Sequence, residues 1–211
     1  MTRIDLRVPF AEKDDAKRLG ARWDAVKKVW YVPAGLDSAL FGKWLPREPE
    51  GNLRAPSYAI AQSAAPCWKC GRQAHAFSFL LPAGHEVLED VAADESDEGI
   101  WEWVRVETPT IVHYVEQIPL PVQRQMSALS GNSYRLDYSK TTQSSYWMNH
   151  CHHCGMKQGD FGMHCEPGGA FMPMDEHAAS GISLRFIGEP FAASCGGYSV
   201  DVDFLNHMRR F

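Results

Sequence analysis

Four of the six cysteines fall into two matching strings, Cys67-Trp68-Lys69-Cys70-Gly71 and Cys151-His152-His153-Cys154-Gly155. A C-x-x-C turn sets two thiolates on one side of a tight loop, with backbone N–H groups aimed at the sulfurs. The glycine that follows allows the positive φ such a turn needs. Two of these turns together supply the four-sulfur tetrahedral shell of a structural zinc site. One copy alone reads equally as a thioredoxin-like redox pair, and it is the second copy with its second glycine that favours zinc. The spacing therefore predicts one structural Zn2+ held by Cys67, Cys70, Cys151 and Cys154. Four thiolates leave no open position for water, so Lewis-acid hydrolysis is not expected there. His150, His152 and His153 crowd the second string and read as loop groups around the site, with replacement of one cysteine ligand as the alternative.

Outside these strings the candidates for chemistry are scattered. Cys165 and Cys195 read as small apolar groups in the interior, with ligand, disulfide or nucleophile as the other options. His113, Asp137, His164, Cys165, Asp201 and Asp203 are reactive types, but no two stand at a spacing that demands catalysis. Neither H-E-x-x-H nor the H-x-E with P-C-x-x-C of deaminases occurs. The reading is a protein that is not an enzyme. Cysteines that pair around zinc, behind an N-terminus whose charges replace a signal-peptide core, predict a reducing, cytoplasmic location.

The elements that must position these residues are strands and short helices. Ile4, Leu6 and Val8 alternate with charged residues as in a half-buried strand. A helix is expected over FAEKDDAKRLG, a strand at Val29–Val32, and a short helix between Leu36 and Leu45. Residues 1–46 thus form a small α+β unit, with tryptophans and phenylalanines supplying its core. Residues 47–66 contain Pro49, Pro56 and Pro66 among small and polar residues and read as a linker. Residues 67–211 read as a mainly β, zinc-ribbon-like domain with a long insertion over 71–150. Within it, strands are expected around residues 75–81, 100–108, 110–120 and 145–150, a helix at 121–129 and a loop at 130–146. Zinc would supply much of this domain's stability.

The 211 residues are 45% apolar and 22% charged, a globular composition, and no apolar run is long enough to span a membrane. The net charge of −5 is unevenly spread. Residues 86–107 carry nine Asp and Glu against a single Arg, whereas residues 51–85 carry three Lys and Arg and no acid. The acidic run reads as a solvated loop or, more sharply, as a surface that binds a partner or mimics DNA.

The string VPFAEKDDAKRLGARWDAVKKVWYVPAGLDSALFGKWLP resembles a short domain of unknown function that recurs in bacterial mobile-element proteins, including plasmid primases of the TraC type. The specific part is A-x-x-L-G-A-R-W-D followed by W-Y-V-P. A second string, YWMNHCHHCGMKQGDFGMHCEPGGAFMP, resembles zinc-ribbon partners of that domain in phage- and plasmid-borne proteins. The resemblance implies a setting of DNA replication and transfer and carries over no catalytic residue. Basic residues interleaved with aromatics in the first unit suit single-stranded DNA, with Lys13, Lys17, Arg22, Lys28 and Trp30 as the expected contacts. The alternative for the aromatics is core packing. The function expected is a non-enzymatic, zinc-binding accessory protein acting on or near DNA. The competing expectation is an adaptor or inhibitor that engages a host or plasmid protein through residues 86–98.

Overall fold

The computed structural model describes residues 3–6, 8–25, 27–45, 51–91, 101–199 and 202–211. The chain divides into two compact units, residues 1–48 and 49–211.

In the first unit, β1 (Ile4–Leu6) pairs with β3 (Val29–Val32), which pairs with β2 (Arg22–Asp24), all antiparallel. Between β1 and β2 run a 3-10 turn at Phe10–Glu12 and helix α1 (Lys13–Arg18). The chain leaves α1 through Gly20 at φ +101°, a conformation that costs a side-chain-bearing residue steric strain. The expected helix after Leu36 is a single 3-10 turn, Ser38–Phe41, capped by the Asp37 carboxylate accepting from the Ala39 N–H. Leu6, Ala16, Ala21, Val32, Phe41 and Trp44 close the core. The buried Trp44 keeps its indole N–H satisfied by donating to Glu12 Oε2 at 2.6 Å.

The second unit is mostly sheet with few helices. Its strands are β4 (Leu53–Ala55), β5 (Tyr58–Pro66), β6 (Gln73–Leu81), β7 (His85–Asp90), β8 (Trp101–Val106) and β9 (Thr110–Gln117), then β10 (Tyr134–Ser139), β11 (Ser144–His150), β12 (Lys157–Gln158), β13 (Ser183–Ile187), β14 (Phe191–Tyr198) and β15 (Arg209–Arg210). Helix α2 (Leu120–Ser130) follows β9, and α3 (Glu176–Ala179) precedes β13. The main path runs β15-β13-β5-β6-β9-β14-β4-β7-β8, while β11 joins β9, β10 and β12. One core gathers Tyr58, Phe77, Phe79, Phe191 and Met126, and a second gathers Ala59, Ala61, Ile111, Ile182 and Leu184. No helix among the described residues is long and apolar enough to cross a membrane.

Two expectations about organisation are corrected. Residues 53–66 are not linker but the strands β4 and β5. Pro56 separates the two strands, and Pro66 ends β5 opposite Gln73, so these prolines punctuate sheet ends as a residue without an N–H must. Ala59 and Ala61, which read as linker composition, are fully buried beneath their neighbours. Residues 47–50 lie outside the described residues. Likewise, 71–150 is no insertion into a ribbon. It carries β6 to β11 and much of the larger core, and the cysteine strings are tips on that framework. The expected loop at 130–146 contains β10, whose register pairs Tyr134 with Asn149 through to Ser139 with Ser144.

Candidate metal centre

Each cysteine string is the tip of an antiparallel hairpin. Pro66 pairs with Gln73 across the β5–β6 tip, and His150 pairs with Lys157 across the β11–β12 tip. The two tips are built alike. Gly71 and Gly155 sit at φ +70° and +71°, and their N–H groups donate to Cys67 O and Cys151 O, both at 2.8 Å. The Cys67 and Cys151 N–H groups donate to Arg72 O and Met156 O, both at 2.9 Å. Within each tip the first cysteine is buried and the second exposed.

Tertiary packing brings the tips together. All four sulfurs lie within 4.8 Å of one another, with Cys67 Sγ 3.7 Å from Cys154 Sγ and Cys70 Sγ 3.8 Å from Cys151 Sγ. That set is compatible with one metal ion. Burial alone would raise the Cys67 thiol, but the backbone N–H groups of Cys70 and Lys69 and contacts to Cys70 and Cys151 bring it down to about 6. At Cys154 the Met156 N–H lowers the thiol, but burial and the other three sulfurs outweigh it and push it up to about 11.

Three residues that spacing did not single out align the tips. The buried Asn149 accepts from the Phe77 N–H at 2.8 Å and donates to Phe77 O at 2.9 Å, tying β11 to β6 as a ladder step would. The Trp68 indole N–H donates to Lys157 O at 2.7 Å, so the first tip grips the second. Gln158 Nε2 lies 3.3 Å from Cys67 Sγ. Only the adjacency of Asn149 to the second string could have hinted at any of this.

The histidines of the second string lie around the sulfurs, outside the four-sulfur set. His150 is buried and shares Asp137 with Lys157 at 3.1 and 2.8 Å. His152 stacks on His75, and His153 contacts Gln73 O. Asp137 is therefore committed to this framework, its carboxyl held well below the usual range by Lys157 first and then His150.

Other candidates for chemistry converge in part. His113 and His164 rings lie 5.3 Å apart, and His164 stacks on Phe171. His164 and Asp203 line one cavity of about 90 Å3, room for little more than water. Burial, with His113 beside it, holds His164 down to about 3, so its ring is neutral. Cys165, expected in the interior, is exposed, because a π-helical turn at Phe161–Cys165 places Met163 inward instead. Its thiol is raised by partial burial and by Asp160, the opposite of an activated nucleophile. Cys195 is buried as expected. Asp201 lies outside the described residues.

In the first unit the expected contact residues do not share one face. Strand register puts Trp23 opposite Trp30 on one side of the sheet and Arg22 opposite Tyr31 on the other. Lys28, at φ +52°, joins Trp23 and Trp30 in lining an open groove. Lys13 covers the Phe10 ring at 3.8 Å, and Lys17 is exposed on α1. Trp23, absent from the expected set, is half-exposed and packs on Trp30 with centroids 5.6 Å apart. Trp44 belongs to the core.

Residues 3–46 match the model of a domain of unknown function, DUF5710. A DNA primase TraC of Escherichia coli is 37% identical over 102 residues, which is 48% of this chain and 9% of that protein. A second Escherichia coli DNA primase TraC is 59% identical over 39 residues, 18% of this chain and 3% of that protein. The chain spans less than a tenth of the length of these relatives. The 102 aligned residues exceed the whole first unit, so the likeness extends into the second. No solved structure matches the chain.

Proposed function

We propose that this chain is a non-enzymatic, zinc-binding accessory protein of a plasmid, phage or related mobile element, working in the cytoplasm on or near single-stranded DNA. The observation that carries the reading is the pair of matched hairpin tips. A tetrahedron of sulfurs at about 2.3 Å from Zn2+ has edges of about 3.8 Å, and the cross-tip separations are 3.7 and 3.8 Å. A disulfide would need sulfurs about 2.05 Å apart. Paired C-x-x-C tips on separate hairpins are a zinc-ribbon-like arrangement, and four thiolates around zinc serve structure rather than hydrolysis.

The DNA part of the reading is supported by the likeness to a DNA primase and by the Trp23–Trp30 groove with Lys28 at its side. Stacking on aromatics plus attraction of lysines for phosphates is how single strands are held without sequence preference. The test is fluorescence anisotropy of labelled single-stranded and duplex DNA with the zinc-loaded chain at about 50 and 200 mM salt. Micromolar or tighter binding that weakens with salt is expected, reduced in the K13A/K17A/R22A/K28A variant. Because Arg22 faces away from the groove, K28A and W23A should each cost more than R22A. Flat traces with both DNAs overturn the reading.

One observation favours a second reading, an adaptor acting through the acidic residues 86–98. Residues 86–90 lie in β7, and its partner β8 is the last strand on the sheet path, with Trp101 exposed. Such an edge can accept a partner's strand. Residues 92–98 lie outside the described residues. This reading predicts no DNA affinity, and a host or plasmid protein whose capture is lost when Asp94, Glu95, Asp97 and Glu98 become amides.

A further inference from the structure

A cavity of about 350 Å3 opens beside the cysteine tips, between Trp68 and the loop that follows the π-helical turn. That volume lies in the range of small-ligand sites. Trp68 is 70% exposed, yet its indole N–H is bound to Lys157 O, so the ring stands fixed with apolar area open to solvent. An aromatic held this way loses little entropy when a second ring stacks on it.

The wall facing Trp68 is preformed. Gly168 N–H donates to Met172 O at 3.0 Å, Gly169 N–H to Glu166 O at 2.9 Å, and Phe171 N–H to Met163 O at 2.9 Å. A Cβ on Gly169 would meet Gly162 O at 2.6 Å, so the loop is pressed onto the turn as only glycine permits. Ala65, Ala74 and Ala76 contribute small side chains, leaving a slot suited to a flat ring.

Among the lining residues Glu166 carries the only formal charge. Its carboxylate lies close over Gly162, where a Cβ would be 3.6 Å from Oε2. A carboxylate only accepts hydrogen bonds. It pairs best with a ring that offers adjacent N–H donors, as the Watson–Crick edge of guanine does, and worst with thymine, whose one N–H is flanked by carbonyls. Lys69 and Arg72, in and just after the first tip, supply positive charge for a phosphate backbone.

We propose that this cavity binds one nucleobase of single-stranded DNA, guanine in preference to thymine, by stacking on Trp68 and donating to Glu166. The proposal rests on the nucleic-acid reading above but assigns a second contact site, in the other unit.

The experiment uses the zinc-loaded full chain with labelled heptamers T3GT3 and T7, and GMP titrated against the Trp68 indole N–H resonance. Wild type should bind T3GT3 several-fold more tightly than T7. W68A should weaken T3GT3 about tenfold or more, in line with loss of one stacked base, and E166Q should abolish the preference for guanine. A65F, which fills the slot with Trp68 and its bond to Lys157 O intact, should reproduce the W68A loss, and A65F and E166Q should each retain one equivalent of zinc. Equal affinity for the two heptamers, unchanged in W68A and A65F, overturns the cavity and leaves DNA binding by the first unit standing. No binding of either heptamer overturns the nucleic-acid reading. GMP then judges the cavity alone: a shifted Trp68 resonance supports it and an unmoved one overturns it.

Discussion

Two buried polar residues show how much rests on single side chains. Asn149 exchanges two hydrogen bonds with the backbone of Phe77 in a site sealed from water. Asn149→Leu keeps the approximate volume but strands a buried N–H and a buried C=O. At about 1–3 kcal/mol for each unpaired group, the loss is about 2–6 kcal/mol, read as a lower urea midpoint. Asp160 acts in the opposite sense. Its Oδ2 accepts from the Tyr114 N–H at 2.7 Å, while Oδ1 is buried and has no partner among the described residues. Burial pushes its carboxyl up to about 7, against the lowering effect of that hydrogen bond. Between about pH 4 and pH 7 the folded chain holds a proton that the unfolded chain has released, so Asp160 makes stability fall as pH rises through that window. Asp160→Asn should lose less stability than wild type between pH 5 and pH 8, and parallel urea midpoints for the two proteins would refute this.

At the scale of elements, the hairpin tips have almost no apolar support of their own. The cluster around them is Cys67, Ala74 and Cys151 with Met156 against it, whereas the two large cores are built from other residues. This arrangement changes the expectation that zinc supplies much of the domain's stability. Removing the metal should raise amide hydrogen exchange at residues 66–73 and 150–158 and expose thiols to alkylation, while the exchange of β9 and β14 stays slow. Purified protein should contain about one zinc per chain, and Cys151→Ser should drop well below half of that. Global unfolding on chelation would show instead that the tips nucleate the sheets.

For the whole molecule, the clusters give a clear partition. The core of Leu6, Ala16, Val32, Phe41 and Trp44 lies entirely within residues 1–48, and the other three clusters lie entirely within 49–211. A chain cut between residues 48 and 49 should therefore yield a 49–211 fragment that keeps its metal and the melting temperature of its own transition. A fall of more than about 4 °C, the order that 1 kcal/mol produces in a domain of this size, would mean that the first unit stabilises the second.

Local chemistry was legible without coordinates. The two C-x-x-C-G strings determine their own turns, because the positive-φ glycine and the N–H groups aimed at sulfur are properties of consecutive residues. The alternation in β1, the break at Gly20 and helix α2 are equally local. The nine-residue, alanine-rich strand β5 was not legible: small residues carry no period, and Ala59 and Ala61 declare themselves as core only once β5 lies between β6 and β13 in the sheet. Which face Arg22 takes depends on strand register, and the closing of two tips 80 residues apart depends on a shared sheet and on Asn149. The slot beside Trp68 joins residues from β5, β6 and the loop after β12. Contacts between segments distant in the chain are set by which surfaces bury one another, and that only the tertiary structure decided.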